Sequence, residues 1–210
     1  MERKHFTQEQ KDRLEKCFRE FLSIVDNPDR PGLLETPKRV MKYWTELLEG
    51  QLYTNQEIAD MYNKCFDLDE DADEDDVSLE YNSSIKRDLV VETGIKVFSH
   101  CEHHLALMYD MDVSIAYVPK NKVIGLSKMG RIAEMCAKRL QLQEKLGNDI
   151  NEVMRLILDT EDVAVVISGK HGCMTARGVK SRESITKTAC LMGRFKTVPA
   201  LRDEMYSLIK

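Results

Sequence analysis

The chain has 210 residues, 42% hydrophobic and 32% charged, with a formal net charge of −5. That length accommodates one sizeable core, and no apolar run reaches the roughly 20 residues of a membrane-spanning helix. An acidic chain argues against broad nucleic-acid binding, but the charge is uneven: residues 1–81 carry 11 Lys and Arg against 21 Asp and Glu, residues 82–210 carry 20 against 15. The basic half is able to receive a polyanionic small molecule. Met1-Glu2-Arg3-Lys4 leads into a polar amphipathic segment without the apolar centre of a signal peptide, so the expected compartment is the cytoplasm. Six cysteines in that compartment point to thiols or metal ligands, not to a disulfide framework.

Thr7 with Gln10 three residues later has the pattern of a capping box, and Leu14, Phe18, Phe21, Leu22 and Val25 follow at helical spacing. A second helix is expected from Thr36 as N-cap and Pro37 at the first position, with Val40, Trp44, Leu47 and Leu48 on its apolar face and Gly50 at its end. Arg39 falls in its first turn, where its charge opposes the helix dipole; an incidental position or a role toward an external anion both account for it. The run Asp67 to Asp76 alternates carboxylates but has Ala72 and Ser78 where a calcium loop wants Gly and Glu, so it reads as a solvated acidic loop.

Beyond it the period shortens. Leu89 to Phe98 and Met111 to Val118 are expected strands, Val123 to Leu126 a short extended piece, and Lys128 to Leu158 two helices broken near Leu140-Gln141. Val163 to Ile167 and Ile185 to Phe195 complete a strand-strand-helix-helix-strand-strand order. That order predicts an α+β fold: an antiparallel four-stranded sheet with helices on one face, preceded by an N-terminal helical arm. Two edges on so small a sheet predict a homo-oligomer.

Chemistry concentrates at Ser99-His100-Cys101-Glu102-His103-His104 and at His171-Gly172-Cys173. Cys101, His104 and Cys173 together offer two thiolates and an imidazole, a donor set suited to zinc with a fourth position for water. His103 and His171 are then free to move protons. Spacing leaves two other arrangements open: a closed structural site with His100 or His103 as fourth ligand, and a disulfide between Cys101 and Cys173. Ser127, Lys128 and Arg131 cluster at a helix start, a natural phosphate cradle or simply a solvated face. Glu144, after Gln141 and Gln143, reads as a surface carboxylate on position alone, and Arg177 as an ion-pair partner or a third cation near the metal.

In one order, His100-Cys101-Glu102-His103-His104, Ala116-Tyr117-Val118-Pro119, Val123-Ile124-Gly125-Leu126-Ser127-Lys128 with Arg131-Ile132, Gln141-Leu142-Gln143-Glu144, and His171-Gly172-Cys173-Met174 with Arg177-Gly178-Val179 closely resemble the GTP cyclohydrolase I family. Thr36-Pro37-Lys38-Arg39 matches further upstream. The resemblance implies a tunnelling fold, in which subunits pool their sheets into a barrel, and a decamer of two pentamers with sites between subunits. It divides the chain into a helical arm (1–66), an acidic loop (67–84) and a tunnelling-fold catalytic domain (85–210). It further implies one Zn2+ per subunit on Cys101, His104 and Cys173, with His103 and His171 as the acid/base pair. Glu144 with Gln143 would recognise the guanine edge, Ser127 the ribose, and Lys128, Arg131, Arg177 and Arg39 the triphosphate. The implied activity is that of a hydrolase acting on cyclic amidines. A zinc-activated water adds to guanine C8, formate leaves, and rearrangement gives 7,8-dihydroneopterin triphosphate. No redox cofactor, nucleic acid or membrane is implied.

The segment Leu105-Ala106-Leu107-Met108-Tyr109-Asp110 departs from the family's usual Pro-Phe-x-Gly and holds one residue more before Val118-Pro119, which predicts a bulge or an altered hairpin beside His103. That departure keeps in play a related zinc purine-nucleotide hydrolase with another end product; a separate alternative, from another class, is a non-catalytic zinc-stabilised oligomer, against which His103, His171 and Glu144 argue.

Overall fold

The computed structural model describes residues 3–68 and 89–210. Most of the run expected to form an acidic loop, residues 69–84, lies outside them. The first helix, α1 (Gln8–Val25), begins at the expected capping box: the Thr7 hydroxyl accepts from the Gln10 backbone and Gln10 reaches back to Thr7. Helix α2 (Thr36–Leu47) starts one residue earlier than the Thr36 cap expected. Its cap is Glu35, whose side chain makes no capping bond, and Pro37 at the second helical position has no N–H to be capped. Gly50 lies in a 3-10 turn (Glu49–Leu52) after the helix. A Cβ there would stand 2.1 Å from the Met135 carbonyl, so only glycine allows this approach. Helix α3 (Asn55–Tyr62), not foreseen, has its own signature in Thr54 and Glu57, a second complete capping box.

The strand β1 (Cys65–Asp67) pairs antiparallel with β4 (Lys122–Ile124) as a separate two-stranded sheet. The main sheet holds β2 (Val90–Cys101), β3 (Leu107–Tyr117), β5 (Leu140–Gln141), β6 (Val163–His171) and β7 (Thr186–Leu191), in the order β5-β2-β3-β6-β7. Four antiparallel strands were expected; the structure adds β5, a two-residue strand parallel to β2. The break foreseen near Leu140-Gln141 is this strand, which separates α4 (Leu126–Ala137) from α5 (Gln143–Leu158). The last strand is shorter than expected: β7 stops at Leu191, and buried Phe195 belongs to the short helix α7 (Arg194–Thr197).

Alternation along the strands creates two apolar faces. Met111, Val113, Ile115, Val163, Val165 and Ile167 face α4 and α5 and join Ile132, Leu146, Ile150, Val153 and Met154 in the main core. Helices on one face only were expected, and this is corrected. The opposite face, at Ala116, Val118 and Ala164, is covered by Phe195 and by Met205 of a C-terminal helix, α8 (Pro199–Ile209). Leu201, Met205 and Ile209 recur every four residues after Val198-Pro199, which was the available signal. No described helix is long and apolar enough to cross a membrane.

The bulge expected after the histidines is present. Val97 pairs with Met111 but Ser99 with Met108, so β3 spends an extra residue, and Asp110 takes a left-handed conformation (φ 50°). The register against β6 shifts at the same place, between Tyr109 and Asp112.

Candidate active site

Cys101 ends β2, and its neighbours fix it on both sides. Its backbone N–H donates to the Ala106 carbonyl at 2.8 Å across the hairpin, and it pairs with Gln141 of β5. Successive strand residues point to opposite faces, so Cys101 turns toward the main core and His100 away from it. His100 is buried against the helical arm: Tyr43 Oη lies 3.1 Å from its Nε2, and the Trp44 ring centroid 4.8 Å from its own. Burial holds its pKa below the ordinary imidazole value. It is a buried histidine on the wrong face for ligation.

Cys173 arrives from the other end of the chain. Met108 pairs with His171, so β3 carries the end of β6 to the hairpin that bears His103 and His104. Cys173 then sits in a single helical turn, α6 (Gly172–Thr175). A Cβ on Gly172 would stand 2.9 Å from the Leu107 carbonyl, so glycine permits this turn to lie against β3. Tyr109 Oη donates to Thr175 Oγ1 at 3.0 Å and ties the turn to the bulged strand.

The result is a cluster in which one ligand atom each from Cys101, His104 and Cys173 lies within 4.8 Å of the others. Among the described residues no fourth His, Cys, Asp or Glu joins it, which removes His100 and His103 as closing ligands here. All six cysteines are free thiols, so the disulfide alternative is also removed. Burial pushes the Cys173 thiol pKa up, and the adjacent Cys101 pushes it further, while Arg177 opposes them. The neighbouring sulfur makes ionisation of Cys173 costly, and a dication between the two would relieve that cost; the donor set fits zinc. Cys136, in the core, is pushed up to about 12 by burial and is an inert thiol.

Around the cluster, the His103 and His104 rings stand nearly perpendicular, with centroids 6.3 Å apart. His171 Nε2 lies 2.9 Å from Gln143 Oε1 at the start of α5. Burial lowers the His171 pKa, and the nearby charge of exposed Glu144 partly offsets it. Gln143, expected with Glu144 at the guanine edge, has its carboxamide buried and engaged inside the protein. Ser127, Lys128 and Arg131 are not brought to the cluster within one chain. The end of α4 reaches β2 beside the cluster, where Ser99 Oγ donates to the Ala137 carbonyl at 2.8 Å. Ser127 begins about 15 Å of helix rise away, near Tyr117 at the opposite end of the sheet. Arg39 is exposed one turn before Tyr43, and Arg177 is exposed just past α6.

Two thiols and one imidazole that could hold a metal, with two further histidines at hand, fit the site of a metal-dependent hydrolase. The family model of GTP cyclohydrolase I matches residues 14–210. GTP cyclohydrolase 1 of Clostridium botulinum (strain Hall) is 50% identical over 187 residues, covering 89% of this chain and 90% of the relative. The enzymes of that name from Clostridium acetobutylicum and Clostridium beijerinckii are 46% and 44% identical, each covering 94% of this chain and 96% of their own length. The chain belongs to the GTP cyclohydrolase I family.

Proposed function

We propose that the chain hydrolyses GTP at guanine C8, releases formate and forms 7,8-dihydroneopterin triphosphate. The convergence of Cys101, His104 and Cys173 beside His171 carries this reading. Zinc on those three residues would lower the pKa of a water toward neutrality and supply the nucleophile. The chain's own groups do the rest. Glu144 offers a carboxylate to the two donors of the guanine edge, at the helix start it shares with Gln143. Ser127 meets the ribose, and Lys128, Arg131, Arg177 and Arg39 neutralise the triphosphate. His103 and His171 move the proton at N7 that makes C8 electrophilic, and a histidine suits this because its pKa lies near the working pH.

The same reading makes the protein a tunnelling-fold homo-oligomer, a decamer of two pentamers whose sites lie between subunits. The separation of Ser127, Lys128 and Arg131 from the cluster supports a second subunit supplying them. So do the edge position of β7 and the exposure of Phe98, Leu126, Val179 and Ile185, each more than half accessible. A reducing compartment, the cytoplasm, suits a site built on two free thiols. The domain division 1–66, 67–84 and 85–210 goes with this reading.

Zinc-loaded protein mixed with GTP should release formate and a pterin that fluoresces after oxidation. Absence of both would remove the reading. The bulge at Tyr109–Asp112 favours testing the end product as well: a mass other than that of dihydroneopterin triphosphate would indicate a related purine-nucleotide hydrolase.

A further inference from the structure

Gln143 occupies the first position of α5 and is 1% exposed. Its side-chain nitrogen lies 3.2 Å from the Ile167 carbonyl, 3.1 Å from the Thr186 carbonyl and 3.2 Å from Thr188 Oγ1. Carbonyl oxygens only accept, so the amide nitrogen must face them. The opposite flip would set the amide oxygen against two carbonyls with no proton between. The atom 2.9 Å from His171 Nε2 is therefore the carboxamide oxygen, which cannot donate. Hence the proton of that hydrogen bond belongs to the histidine.

We propose that Gln143 is a positioning residue: it holds neutral His171 in the tautomer protonated on Nε2, leaving Nδ1 as the ring's only lone pair for moving protons. The partner of one ring nitrogen decides what the other can do. Here that partner is anchored by β6 and β7, so the choice is made by the sheet before any ligand arrives. Gly169 keeps room for the arrangement. A Cβ there would stand 2.9 Å from Met111 Cγ and 3.4 Å from Gln143 Oε1. The proposal rests on the reading of His171 as a proton carrier, while the tautomer itself is a property of the resting protein.

Nitrogen-15 spectra of histidine-labelled, zinc-loaded protein in mildly alkaline buffer, where imidazole is neutral, read the tautomer directly. The His171 signals are assigned by their loss in His171→Gln. A protonated Nε2 and a bare Nδ1 are expected; a protonated Nδ1 overturns the proposal, whatever any variant does. Gln143→Met keeps length but removes both amide functions. It should mix the two tautomers and lower kcat about 10- to 100-fold, with KM for GTP within about 3-fold of the parent and zinc content unchanged. A parental kcat in a variant with mixed tautomers overturns the positioning role. Since the spectrum needs no GTP, a chain with protonated Nε2 that releases no formate overturns the catalytic reading alone. Formate release with a protonated Nδ1 overturns the tautomer alone.

Discussion

At Cys173 the thiol stands against a second sulfur, and its replacement removes both a donor and the reason for a cation to enter. Cys173→Ala is expected to lose bound zinc and formate release together. His103→Ala and His171→Ala should keep zinc and lose turnover by about 10²- to 10⁴-fold; metal content and formate measured on the same samples check the split. The three clustered residues were legible because Cys-x-x-His followed by a remote Cys is restricted by coordination chemistry. The engagement of Gln143 was not. Spacing gives a residue's phase on a helix, but not whether its side chain turns to solvent or to the carbonyls of a neighbouring strand. His100 was ambiguous for the opposite reason: it has the right residue type next to a ligand, and only strand alternation sends it to the other face.

Among elements, the join between the helical arm and α5 hangs on Arg139. Its guanidinium donates to Asp149 Oδ2 at 2.9 Å, Asn55 Oδ1 at 2.7 Å and the Tyr53 and Gly50 carbonyls at 2.8 and 3.0 Å. Gln141 and Lys145 also donate to Asp149 Oδ2, each at 2.8 Å, so the network reaches β5 beside Cys101. Arg139→Met takes one of its two cations from the Asp149 carboxylate and leaves the Gly50 and Tyr53 carbonyls without their donor. It should cost about 3 kcal/mol and lower the melting temperature by roughly 6–12 °C, read by calorimetry. Burial raises the Asp149 pKa, but the hydrogen bonds from Lys145 and Gln141 and the charges of Lys145 and Arg139 outweigh it, leaving the net shift downward. A carboxylate held low when folded stabilises above its unfolded pKa, about 4, and that stability is lost as pH falls through the lower native value. Asp149→Asn should therefore flatten the acid side of a stability profile and leave its slope above neutrality unchanged. Helices α1 and α2 were legible from caps and periodic apolar residues. Helices α3 and α8 carried comparable signals, but α3 is only eight residues long, and the few apolar residues of α8 at spacing four do not distinguish a helix from a loop until a sheet face is there to cover.

Over the whole molecule, the α+β class followed from the change of period along the chain, whereas the parallel β5 and the two-sided helix cover did not. Both depend on which distant segment meets an edge or a face, and local pattern carries no record of that. If the cations that hold the triphosphate come from a neighbouring subunit, two inactive variants should repair each other. Lys128→Ala and His171→Ala, each silent alone, should regain part of the formate release when refolded together, because some sites then combine the intact half of each; no recovery would place every site within a single chain.

The donors near residues 101–104 and at 173 are far apart along the chain and meet only because β3 lies between β2 and β6. An ion held by these residues would therefore link the hairpin tip to the α6 turn, and its affinity for the folded form would add to resistance against heat. Adding a chelator should lower the melting temperature of the parent protein and leave that of Cys173→Ala where it already was. The centre that would carry out the reaction would then also be a fastening of the fold, and starving the protein of its metal would loosen the catalytic end of the sheet first.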